Sequence, residues 1–303
     1  MHSTAPVSPE ILSSLSTNPE TVSFYDPTTA TVSHLIMDPQ SSHAAILDSV
    51  LDYDPTSART GTQSADVLIR EVERRGLTID WLLETHIHAD HLSAAPYLQS
   101  RLGGRIGIGR EILRMQQTLG PLFHPDHGFA RDGAAFDHLF ENGERFLIGS
   151  MPVVALHVPG HTPADLAYLA GQCAYVGDTL LMPDCGTARA DFPGGDARQL
   201  YRSIRKILSL PAETRLYLCH DYTAPGRPEV QWQTTVAEQR AHNIHMHDGM
   251  SEDAFVALRS ARDRTLGLPC LILPSVQVNM NGGRLPEAEA NGVRYLKIPL
   301  NSI

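Results

Sequence analysis

The segment Thr85-His86-Ile87-His88-Ala89-Asp90-His91 gathers three imidazoles and a carboxylate within six residues, directly after the apolar run 81–84. Neutral imidazole nitrogens and carboxylate oxygens are the donors that zinc, iron and manganese share. A rigid strand would point alternate side chains to opposite faces, so ligands this close in sequence converge only from a loop. A histidine-rich loop at the end of a buried strand is the placement that α/β proteins give their chemistry. The plain alternative, a solvated polar turn, is the weaker reading with three histidines and an aspartate in it.

The flanking sequence supports such an architecture. Apolar runs over 32–38 and 44–50, separated by a turn-rich break at 38–42, predict a strand, turn, strand opening. A helix should follow, capped by Ser64 and ended by Gly76, with Val67, Leu68 and Val72 as its buried stripe. Beyond the loop, 94–102 reads as a helix stopped by Gly103-Gly104, and 105–109 as a strand. The pattern then repeats: strands over 146–148, 153–158, 166–169 and 174–176, a helix over 196–210, and a strand over 215–219 that ends at a histidine. Two strand-rich halves, each closed by a helix and a polar loop, predict two packed sheets covered by helices. Helices are expected over 232–247 and 251–266. Residues 1–20, rich in Ser, Thr and Pro, read as a loosely ordered arm, and 21–303 as a single domain without a convincing linker.

Composition narrows the function. With 24 basic and 34 acidic residues the net charge is −10, which argues against a nucleic-acid backbone as partner. No run reaches the length of a membrane-spanning helix. The first basic residue is Arg59, so the opening lacks the basic region of a secretory signal, and a cytoplasmic location is expected. Cys173, Cys185, Cys219 and Cys270 show no CxxC spacing and read as reduced thiols.

Three single residues extend the loop's donor set. His161 follows Pro159-Gly160, Asp178 follows Val176-Gly177, and His220 follows the strand 216–219. Taken singly, each reads as a capping or core polar residue. Taken with the loop, all three end strand-like runs and can share one rim.

Together these residues resemble the signature of the metallo-β-lactamase superfamily: HxHxDH (His86, His88, Asp90, His91), then His161, Asp178 and His220 in that order. The resemblance covers about 32–222 and implies a four-layer αββα sandwich with the metal at one edge. A short helical extension from about 230 would complete it. The segment 177–192, Cys219-His220-Asp221-Tyr222, and the stretches 232–243 and 273–279 resemble the persulfide dioxygenases, bacterial branch.

That resemblance implies one Fe(II) per chain held by His86, His161 and Asp178, with glutathione persulfide and dioxygen as substrates. Two histidines and a carboxylate leave open coordination positions, as in non-haem iron oxygenases. His88, Asp90, His91 and His220 would then orient the ligands and shape the pocket. In a glyoxalase II-type thioester hydrolase, the runner-up, they would hold a second metal. Zinc stays open as the ion, nucleic acid and membrane are not expected as partners, and a homodimer is left open.

An anionic substrate needs local cations. Arg189, Arg227 and Arg240 are the candidates, each with a structural alternative as partner of Asp191, Glu229 or Glu238, and Tyr222 is a candidate hydrogen-bond donor. His242, His245 and His247 lack a carboxylate or cysteine partner and read as a solvated helix face. His124 and His127 read as surface residues or a pocket rim, and Cys185 and Cys219 as small buried hydrophobes near the site.

Overall fold

A computed structural model describes residues 7–123 and 131–301, so His124 and His127 lie outside the described residues. Strand β1 (Glu20–Asp26), β2 (Thr31–Met37), β3 (His43–Leu47), β6 (Thr78–Leu83), β8 (Arg105–Gly109) and β9 (His138–Phe140) form one sheet in that order. A second sheet runs in chain order from β10 (Glu144–Ile148) through β11 (Met151–His157), β12 (Leu166–Ala170), β13 (Cys173–Tyr175) and β14 (Arg215–Tyr217) to β15 (Gln233–Thr235). A small sheet joins β4 (Val50–Asp54) to β5 (Arg59–Gly61) and to β7 (Leu92–Ser93).

Strand alternation sorts the side chains into three cores. Ile36, Ala45, Leu47, Trp81 and Leu83 of the first sheet meet Val153, Ala155, Tyr168 and Tyr175 of the second, filling the space between the sheets. Their sequence neighbours face outward. Leu35, Ala44, Ile46 and Leu82 pack on helices α2 (Gln63–Arg75), α3 (Ala95–Leu102) and α4 (Ile112–Phe123), with the C-terminal α8 (Ile272–Asn279) on the same side. On the opposite side Val154, Leu156, Leu169 and Leu216 pack under α5 (Ala197–Ile207), α6 (Val236–His242) and α7 (Glu252–Asp263). The result is the four-layer αββα sandwich of the metallo-β-lactamase fold. Residues preceding β1 contribute α1 (Pro9–Ser13), capped by Ser8, and Val7 and Leu15 are buried in the second sheet's outer core.

Two expected boundaries move for local reasons. Helix α2 starts at Gln63 and Gly76 ends it at φ 65°, but Ser64 does not cap it, because its hydroxyl donates to Asp52. The helix expected over 232–247 splits. Residues 233–235 pair with β14, a capping box of Thr235 and Glu238 starts α6 at Val236, and the Asn243 side chain accepts from His245 and Met246 to end it.

This topology collects the functional loops. Strands β3 and β6 are parallel, β13 and β14 are parallel, and two antiparallel steps make β11 run with β13. Their carboxyl ends all open on one rim. There the sheets are stitched by Val32 N donating to the Cys219 carbonyl at 2.7 Å, and by Leu166 N donating to the Thr85 carbonyl at 2.8 Å.

Candidate metal centre

The histidine loop is held from below by Asp48, which ends β3 in a left-handed conformation at φ 52°. Its carboxylate accepts from Thr85 N at 2.7 Å and from the Thr85 hydroxyl at 2.9 Å, and lies 3.0 Å from His88 Nε2. With its proton given to Asp48, Thr85 Oγ1 accepts from His86 Nδ1 at 2.9 Å, which leaves the His86 Nε2 lone pair facing outward. Across the loop, Asn279 of α8 donates to the carbonyls of His88 and His91 at 2.9 and 2.8 Å. A chain segment nearly two hundred residues away thus fixes the loop's path.

Two glycines bring in the other strand ends. A Cβ at Gly160 would stand 2.3 Å from the Leu200 backbone, and one at Gly177 would stand 2.7 Å from Thr85 Oγ1, so only glycine allows these approaches. His161 then donates from Nδ1 to the Arg189 carbonyl at 2.8 Å, and its Nε2 faces Asp178 Oδ2 at 3.4 Å. His86 Nε2 faces the same oxygen at 3.7 Å. His86, His161 and Asp178 therefore form one convergent donor set, and His88, Asp90, His91 and His220 form another beside it.

The donors suit a cation. In the first set each imidazole has its outer nitrogen bonded to oxygen and its inner nitrogen turned toward the carboxylate. In the second set, His88 Nδ1 and His91 Nε2 are buried without a hydrogen-bond partner among the described residues, a costly arrangement for polar atoms unless an ion meets them, and His220 Nε2 faces Asp90 Oδ2 at 3.0 Å. The two donor sets imply a metal.

Electrostatics differ between the sets. Burial drives His86 well below its ordinary range, and His88 pushes the same way. Burial opposes protonation of His88 and His220 too, but Asp48 and Glu84 hold His88 up at about 9, and Asp90 and Asp178 hold His220 up at about 10. Although burial works against its charge, His220, His161 and His86 hold the Asp178 carboxyl well below the usual carboxylate range. An ion entering the second set must displace protons.

A cavity of about 770 Å³ opens over the site, with Asp90, His161 and Asp178 in its wall and Leu181, Phe192 and Leu268 giving it an apolar lining. Tyr222 lines it as well, its ring stacked on His220 at 5.6 Å and 8°. Of the three expected arginines only Arg189 reaches the lining. Its guanidinium is committed: it forks onto Asp191 at 2.6 and 2.8 Å and donates to the Gly267 carbonyl at 2.6 Å. Arg227 pairs with Asp221 and Asp184 behind the wall and meets Glu229 only at its carbonyl, and Arg240 pairs with Asp248 on another face, not with Glu238. Arg189→Lys is expected to lose the fork and about 1–2 kcal/mol of stability. Because the Arg189 carbonyl orients His161, a lower melting temperature should come with lower metal content, while KM stays unchanged in the active fraction.

Sequence reading misses Asp48, Asn279, and two further lining arginines, Arg259 and Arg262 of α7. The Arg pair is hidden in an ordinary amphipathic helix pattern. Asp48 leaves a faint signal, an acid inside an apolar run. His245 corrects the solvated-face reading: it sits beyond α6, buried, where its Nδ1 accepts from Thr187 N at 3.1 Å. All four cysteines are free, Cys173 and Cys219 buried. No helix among the described residues is long and apolar enough to cross a membrane.

The model of the Metallo-beta-lactamase superfamily matches residues 40–220, and the chain belongs to that superfamily as one of its enzymes. It is 56% identical to a probable metallo-hydrolase of Burkholderia pseudomallei over 92% of this chain and 98% of that one. It is 46% identical to Glyoxylase B2 of Dictyostelium discoideum, over 90% and 94%. A beta-lactamase hydrolase-like protein of Agrobacterium fabrum is 49% identical over 93% of this chain, which spans only 65% of that protein. Human mitochondrial persulfide dioxygenase ETHE1 is 31% identical, over 65% and 66%. Among solved structures, ETHE1 from Myxococcus xanthus superposes with a TM-score of 0.70 at 26% identity, covering 88% of this chain and 100% of that one.

Proposed function

We propose that this chain is a persulfide dioxygenase that oxidises glutathione persulfide with dioxygen to sulfite and glutathione, using one non-haem iron(II) per chain. The observation that carries the reading is the set His86, His161 and Asp178, two imidazoles and one carboxylate whose donor atoms converge beside the cavity that His161 and Asp178 line. Iron(II) held there supplies open positions at which a persulfide sulfur and dioxygen can meet. Each turnover consumes a persulfide, a dioxygen and a water. The outer sulfur is oxidised, dioxygen is reduced, and the inner sulfur leaves as the thiol.

The chain's own residues prepare that meeting. Asp48, through Thr85, and the Arg189 carbonyl hold His86 and His161 in the tautomer that offers Nε2. Phe192, Leu181 and Leu268 keep bulk water from the bound sulfur, and the Tyr222 hydroxyl is a donor for substrate. His88, Asp90, His91 and His220 position these groups rather than bind the iron. Similarity to the two ETHE1 proteins supports the reading. A reducing cytoplasm suits both the four free thiols and the substrate.

The second reading, a glyoxalase II-type thioester hydrolase with two metals, is favoured by the second donor set and by the likeness to Glyoxylase B2. Elemental analysis separates the two. Protein produced in iron-rich medium is expected to carry about one iron per chain. Two equivalents of zinc or iron together with thioester turnover would establish the hydrolase instead.

A further inference from the structure

We infer that Cys219 limits the site to a single metal ion by holding the outer oxygen of Asp178 away from the second donor set. This rests on the one-metal reading above. Asp178 stands between the two sets, and a carboxylate joins two ions only when each of its oxygens is free to bind one. Oδ2 faces His86 and His161. Oδ1 lies 3.7 Å from His220 Nε2, so it is the oxygen that would serve an ion in the second set. That oxygen accepts a hydrogen bond from the Cys219 thiol at 2.9 Å.

The thiol is firmly placed. Cys219 is buried, and its carbonyl accepts from Val32 N at the seam between the sheets, so the side chain has little freedom to swing away. The rest of the second set still offers donor atoms: His88 Nδ1 and His91 Nε2 have no hydrogen-bond partner among the described residues, and His220 Nε2 lies 3.0 Å from Asp90 Oδ2 within the set. What the second set lacks is its share of Asp178. The same hydrogen bond leaves Asp178 a one-oxygen donor to the first set. Cys219 is thus a positioning residue acting through Asp178, and it is not itself proposed as a ligand.

The test compares the parent with Cys219→Ala and Cys219→Ser, each loaded anaerobically with Fe(II) or Co(II), desalted, and assayed for metal per chain. The parent and Cys219→Ser, which retains a donor, are expected to hold about one ion, and Cys219→Ala to approach two at the same free metal. Should Cys219→Ala fail to fold, Cys219→Val fills the space without a donor and carries the same expectation. In the cobalt form the parent should show no thiolate-to-cobalt charge-transfer band in the near ultraviolet. A donor-free variant that still binds a single ion overturns the inference while leaving the one-metal reading intact. A thiolate band in the parent overturns it by making Cys219 a ligand. A parent that itself holds two ions defeats the one-metal reading and this inference with it.

Discussion

Asp178→Ala and His161→Ala are expected to lose bound iron and turnover together, whereas His220→Ala keeps much of its metal. The first two side chains offer donor atoms that converge at 3.4 Å, with the outer nitrogen of His161 already spent on the Arg189 carbonyl. Removing either leaves an incomplete set that cannot hold a labile ferrous ion. His220 touches the set only through Asp178 Oδ1 and Asp90, so its loss should cost about 10- to 100-fold in affinity or activity, the usual scale for groups that orient ligands. Metal analysis of the three variants beside their circular dichroism spectra checks this. Equal iron loss in all three would move His220 into the ligand set.

The second large effect is structural. Asp48 is fully buried and meets Thr85 N, the Thr85 hydroxyl and His88 at once. Asp48→Ala strands the His88 cation beside Glu84, whose carboxyl burial pushes up to about 8, and leaves two buried donors unpaired. Breaking a buried pair by removing one partner costs about 3–5 kcal/mol. Because the Thr85 hydroxyl also orients His86, iron binding should fall in the fraction that remains folded. Urea denaturation with and without iron measures both. A stability change under about 1 kcal/mol would show that the loop is held elsewhere, with Asn279 as the next suspect.

The candidate donor residues are legible in the sequence because they combine ligating side chains with loops that follow strand-like runs. His161 and Asp178 add a preceding glycine, and the structure shows why: no Cβ fits at Gly160 or Gly177. The layering was legible too, since alternate residues such as Ile36 and Leu35 belong to different cores. What stayed hidden depends on contacts distant in sequence. Asp48 gains its role only because β3 lies parallel to β6, and Asn279 only because α8 returns to the loop. Arg189 admitted two readings from its neighbour Asp191, and the contact that weighs toward scaffold, with Gly267, is 78 residues away. His245 reads as solvated only if one helix runs on past Asn243, which instead ends it. The pairing of Cys219 with Asp178 has no sequence signal at all, although both ends were near the expected site.

Dioxygen consumption by anaerobically iron-loaded protein, started with glutathione persulfide and followed together with sulfite, tests the central claim most directly. The account predicts iron-dependent uptake with sulfite and glutathione formed in step with the dioxygen consumed, and none of it in Asp178→Ala. Fully iron-loaded, folded protein that takes up no dioxygen yet cleaves a glutathione thioester would contradict it.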